Sequence, residues 1–210
     1  MINFIFGLIL FITAPVNNSD NFEGKIKLVE ETYYTTTFYT YTIKNKQIRV
    51  DKYNQNHKII QSLLLNLEDK QIIVLSPTKK MYTFLNLSRN PNTANENFEV
   101  IKTENTRMIN GKECYQWRVR NVEQNTEVTY WVSESNFYFF NDFIKLLNYS
   151  EHTFPYFEKI PDSQGFFPML TVERTLLRKI KKQISVIEIN PQKVNDTTFE
   201  IPKDFNEVEY

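Results

Sequence analysis

Apolar and polar residues alternate with a period of two along much of this chain, and no other feature narrows its possible folds as far. The pattern appears in Lys25-Ile26-Lys27-Leu28, in Gln47-Ile48-Arg49-Val50-Asp51 and in Tyr115-Gln116-Trp117-Arg118-Val119-Arg120. Such alternation describes strands with one face in a core and the other toward solvent. Tyr33 to Ile43 interleaves aromatics with threonine, residues whose planar or branched side chains suit a pleated surface. Leu63–Leu67 and Ile72–Leu75 read as a hairpin around Glu68-Asp69-Lys70, and Ser76-Pro77-Thr78 makes the next turn. Phe98–Thr103 and Cys114–Asn121 flank Asn110-Gly111, a strong hairpin dipeptide, and Glu127–Val132 follows the turn Glu123-Gln124-Asn125. Short spacing between successive strands predicts antiparallel neighbours in a meander.

Downstream the period changes. Ser135 is placed to cap a helix over Asn136 to Asn148, with Phe137, Phe140, Ile144 and Leu147 three or four residues apart. Tyr138, Phe139, Phe143 and Leu146 are apolar too, so this helix needs cover on more than one side. The aromatic, proline-containing stretch through Phe154-Pro155-Tyr156-Phe157 and Gly165-Phe166-Phe167-Pro168 is too apolar for an ordinary solvated loop and is expected to pack beside the helix as a lid. Strands resume at Met169–Lys179 and Ile184–Ile189; the apolar phase slips between Val186 and Ile187, predicting a bulge that bends the sheet.

The 210 residues suit one domain, since no repeat or linker interrupts them and the nearest candidate, Asn90 to Asn95, is a short polar loop. From Ile2 to Ala14 the chain is uncharged and apolar, within the length of a secretory core segment and short of a bilayer span. Residues 1–21 are therefore read as a leader and 22–210 as the exported, periplasmic domain. No Lys or Arg precedes the apolar run, and Pro15 makes Thr13-Ala14-Pro15 a poor cleavage site. A buried first strand or helix is the competing reading.

Conventional chemistry is hard to find. Basic and acidic residues number 25 each, which argues against a nucleic-acid partner, and four glycines leave little material for a phosphate-binding loop. His57 and His152 have no second ligand at metal spacing, so neither metal nor cofactor is expected. The lone Cys114 reads as a small buried hydrophobe, and adjacent Glu30 and Glu31 would point to opposite strand faces. The run Arg174, Arg178, Lys179, Lys181, Lys182 with Leu176 and Leu177 is either a solvated hairpin tip or a site for anionic headgroups. What stands out is an aromatic surplus, 17 Phe and 12 Tyr. Tyr115, Trp117, Trp131, Phe137, Phe140, Phe143 and Phe167 are accordingly the candidate ligand-binding residues, with Phe140 and Phe143 facing a cavity under the lid. A dry aromatic core is the alternative, because packed cores and apolar pockets share this composition.

Glu113-Cys114-Tyr115-Gln116-Trp117-Arg118-Val119 after Asn110-Gly111, together with Thr126 to Val132, Ser76-Pro77 before Lys79-Lys80-Met81-Tyr82, and Phe199-Glu200-Ile201-Pro202, resemble an uncharacterised domain-of-unknown-function family with a LolA-like fold. The resemblance runs from Gly24 to about Phe205. It implies a mainly β protein with a few helices, whose curved antiparallel sheet forms a half-open barrel closed by a helical and aromatic lid. It further implies a non-enzymatic periplasmic carrier or binder of an apolar ligand, a lipid or a lipoprotein acyl chain. An envelope protein-protein interaction module with a packed core and no ligand cavity is the second expectation.

Overall fold

The computed structural model describes residues 21–87 and 97–209; the expected leader, except its last residue, and the Asn90–Asn95 loop lie outside them. Strands β1 (Gly24–Thr32), β2 (Thr36–Lys44), β3 (Gln47–Tyr53), β4 (Ile59–Asn66), β5 (Gln71–Ser76) and β6 (Met81–Phe84) form one antiparallel meander. A second comprises β7 (Phe98–Ile109), β8 (Lys112–Asn121), β9 (Thr126–Glu134), β10 (Phe166–Arg174) and β11 (Ile180–Pro191). Between β9 and β10 the chain leaves the sheet to form the helix α1 (Phe140–Leu147). Antiparallel pairing of β1 with β11 joins the two meanders, and β12 (Asn206–Glu207) adds a short parallel edge to β6. The resulting order is β12-β6-β5-β4-β3-β2-β1-β11-β10-β9-β8-β7. This single curved sheet does not close, and α1 with the segment after it covers its inner face as a half-open barrel.

The seam between meanders depends on Gly24. Its φ of +149° is one that side-chain-bearing residues rarely adopt, and an added Cβ would lie 2.3 Å from the Asn190 carbonyl oxygen. Further along the seam Leu28 pairs with Val186 while Lys27 pairs with Glu188, so Ile187 bulges out where the apolar phase slips. Asn110 and Gly111 both take positive φ, 48° and 73°, as a tight hairpin turn requires.

Several boundaries differ from the expectations. The helix begins at Phe140, not Asn136, and Ser135 does not cap it: the Ser135 carbonyl accepts from the Phe137 amide, and the helix start at Phe139 has no side-chain cap. Tertiary packing of Phe137 and Phe139 holds the preceding turn in place of a cap. Phe166, Phe167 and Pro168 belong to β10 and not to the connection, while Thr175–Lys179, expected as strand, forms a turn closed by the Arg178 amide on the Thr175 carbonyl. Proline is tolerated there because the register slips between Pro168 and Leu170. Tyr33 and Tyr34, expected in a strand, form the β1–β2 turn and are solvent-exposed.

Candidate functional site

Register decides which aromatics meet. Ile26 and Leu28 on β1, Tyr39, Tyr41 and Ile43 on β2, and Ile48 and Val50 on β3 form the inner row of the first meander. Trp117 and Val119 on β8 and Val128, Tyr130 and Val132 on β9 form that of the second. Over these lies the lid, where Phe137, Phe140 and Phe143, together with Phe167 at the start of β10, are at most 2% exposed. Ring centroids are 4.6 Å apart for Phe140 and Phe167, 5.0 Å for Phe137 and Phe167, and 5.3 Å for Tyr41 and Phe143. Phe140 further meets Phe154 at 5.4 Å and Phe157 at 5.1 Å. At these separations the rings are in contact with one another. Phe140 and Phe143, expected to face a cavity, therefore sit inside a packed aromatic cluster.

The other candidates divide between the inner row and its margin. Trp117 is buried 4.7 Å from Phe166, with the Lys102 ammonium 4.4 Å above its ring, and Tyr115 is half-buried on the same strand. Trp131 is only partly buried, with the Arg107 guanidinium 4.9 Å from its ring, because alternation turns Tyr130 rather than Trp131 inward. Tyr130 is the partner that sequence reasoning missed. Its hydroxyl donates to the Pro155 carbonyl, and burial pushes its phenol well above the usual range. Cys114 is buried and its thiol is pushed up to about 11 by desolvation.

Where the lid segment ends, charges replace rings. Glu151, just beyond α1, pairs with Lys52 at 3.2 Å. Lys182 donates to the carbonyls of His152 (3.0 Å) and Thr153 (3.3 Å) and lies 3.9 Å from Glu30 and 4.0 Å from Glu173. These contacts clasp the outgoing lid segment to the sheet. Burial raises the Glu30 carboxyl above its ordinary range, outweighing the opposing pull of Lys182 and Lys52.

Beyond the clasp the inner face continues onto β4, β5 and β6 and opens into a cleft of about 590 Å³. Lys52, Ile60, Val74, Lys79, Met81 and Val208 are among its walls. A smaller pocket of about 190 Å³ lies at the opposite end of the barrel, against Phe22, Phe137 and Met169. Of the aromatic candidates, Phe137 alone reaches either space. Sequence reasoning missed the cleft, which is built from sparse residues of several strands and from the return of β12; only the Lys79 to Tyr82 stretch carries a signal of its own. Among the described residues no cluster of His, Cys, Asp or Glu suited to a metal ion occurs, and no helix is long and apolar enough to cross a membrane.

A curved antiparallel sheet, an inner face lined by apolar rows and a helical cover define a half-open barrel. A domain of unknown function, DUF4412, matches residues 22–205, and the chain belongs to that family. No curated protein matches the sequence. An uncharacterised conserved protein from Thermus thermophilus shares the fold at a TM-score of 0.51 and 8% identity, covering 89% of this chain and 90% of its own. The MucA/MucB complex of Pseudomonas aeruginosa gives 0.50 at 6% identity, over 86% of this chain and 56% of the matched one. A domain provisionally named as an outer membrane lipoprotein-sorting protein from Vibrio parahaemolyticus gives 0.35 at 6% identity, over 84% and 87%.

Proposed function

We propose that this chain is a non-enzymatic protein of the bacterial envelope that shields an amphipathic ligand, a lipid or the acyl chain of a lipoprotein, at the open end of its barrel. The carrying observation is the cleft, whose volume lies within the ~300–1,000 Å³ of small-ligand sites. Val74 and Met81 offer apolar wall, while Lys79 stands at the rim for an anionic head and Lys52 is held by Glu151. The apolar run from Ile2 to Ala14 and the half-open barrel support this choice of compartment and ligand class. The site differs from the sequence expectation, since the ligand occupies the open end and not the ring-filled space beneath α1.

Native mass spectrometry of protein purified from an expressing cell tests the reading. A co-purifying lipid mass is expected, and Val74→Glu should abolish it by placing a carboxylate where desolvation is costly. Protein that emerges bare, and binds no fluorescent fatty acid, would overturn it. The second reading, an envelope interaction module, is favoured by the packing of Phe140 against Phe154, Phe157 and Phe167, which puts rings where a buried acyl chain would lie.

A further inference from the structure

The antiparallel order brings three turns side by side at one end of the barrel. Thr32, at the end of β1, pairs with Lys182 at the start of β11, so the β1–β2 turn flanks the β10–β11 turn. Glu127 pairs with Arg174, which sets the β8–β9 turn on the other flank. Two hydrogen bonds tie these last two together: Leu176 N–H to Asn125 Oδ1 at 3.1 Å and Lys181 Nζ to Thr126 Oγ1 at 2.6 Å.

These turns hold most of the large apolar side chains that the described residues leave exposed. Leu177 is 89% exposed, Tyr33 and Tyr34 are 86% each, and Val122, Leu176 and Ile180 accompany them. Phe84, Met108, Tyr138 and Ile187 are the exceptions outside this end, apart from Ile60 at the neighbouring start of β4. Around them stand Arg174, Arg178, Lys179 and Lys181, with no acidic residue between Arg174 and Lys182. Arg174, Arg178 and Lys179 pair with no acidic side chain among the described residues, whereas Lys181 and Lys182 reach back to Glu173. Of the three turns only the one between β8 and β9 holds an acidic residue, Glu123. At the opposite end the tips are polar, as in Glu68-Asp69-Lys70 and Asn110-Gly111.

We infer that this end of the barrel docks on the surface of a bilayer containing anionic phospholipid. Leucines at a tip enter the acyl boundary, tyrosines sit at headgroup level, and unpaired basic residues meet the phosphates. Such a surface needs both signals together, because a modest apolar tip alone binds weakly and reversibly. The orientation also explains the cleft, since Ile60 and Lys79, at the rim ends of β4 and of the β5–β6 turn, open it at this same end. A docked barrel thus presents its mouth to the membrane. The inference deepens the proposed function, but docking itself requires no cargo.

Flotation of the purified protein with phosphatidylcholine vesicles, with and without one-third phosphatidylglycerol, tests it. Binding is expected only with phosphatidylglycerol and should fade at high salt. Arg178→Glu with Lys179→Glu should weaken it by roughly 25-fold or more, from about fivefold per basic residue near an anionic surface. Leu176→Ser with Leu177→Ser should weaken it while leaving the salt dependence intact. Lys70→Glu with Lys193→Glu, exposed away from these turns, should change little, and circular dichroism should show all three variants folded. Wild-type protein that floats with neither vesicle or equally with both, or an equal loss in the Lys70 and Lys193 variant, would overturn the inference. A co-purified lipid in native mass spectrometry beside absent flotation would sink docking and leave the cleft reading standing.

Discussion

Phe140→Ala measures whether the space beneath the lid is packed. The ring is fully buried and lies 4.6–6.3 Å from those of Phe139, Phe143, Phe154, Phe157 and Phe167. Truncating a buried Phe costs ~3–5 kcal/mol, the transfer of the lost atoms plus the cavity left behind. The upper half of that range applies here because neighbours on so many sides cannot all collapse inward, and each lost aromatic pair adds ~0.5–1.5 kcal/mol beyond its area. About 4 kcal/mol is a large part of the ~5–15 kcal/mol that holds a domain folded. For a chain of this length it lowers the thermal midpoint by ~8–16 °C, at about 2–4 °C per kcal/mol. Urea unfolding followed by tryptophan fluorescence, with circular dichroism melting beside it, supplies both numbers. A loss below about 1 kcal/mol at unchanged denaturant dependence would refute the packing argument: it would mean that the ring borders empty or ligand-filled space.

Two further outcomes follow from titration chemistry. Glu30 has a folded-state carboxyl raised by burial, so the stability tied to its neutral form is present below the ordinary Glu range near 4.5 and is lost as pH rises through the raised value. Glu30→Gln should therefore gain in melting temperature relative to wild type as pH climbs from 4 to 8; a gain confined to acid would contradict the assignment. Cys114, buried and with its thiol at about 11, should resist a thiol reagent at pH 8 in the native protein and react fully once unfolded. Rapid native labelling would show that the site is open.

Local signals determined a good deal by themselves. Period-two alternation located most of the strands, Asn110-Gly111 its hairpin, and the slipped phase near Ile187 its bulge, because each depends on contacts between residues close in sequence or on one residue's backbone preference. Apolar side chains around most of the helix circumference correctly demanded cover on several sides. Which cover it was, ring or ligand, composition had no means of stating, since Phe140 looks the same against Phe167 as against an acyl chain. Alternation with Val128 and Val132 turns Tyr130 rather than Trp131 inward, but that it lies opposite Trp117 comes from the register with β8. The β1–β11 seam and the row of turns carrying Tyr33 and Leu177 join residues some 150 positions apart, as Thr32 opposite Lys182 shows, and the clasp ties Lys182 back to His152 across 30. No local pattern encodes such distant pairings, because they come into being only when the two meanders close against each other around Gly24.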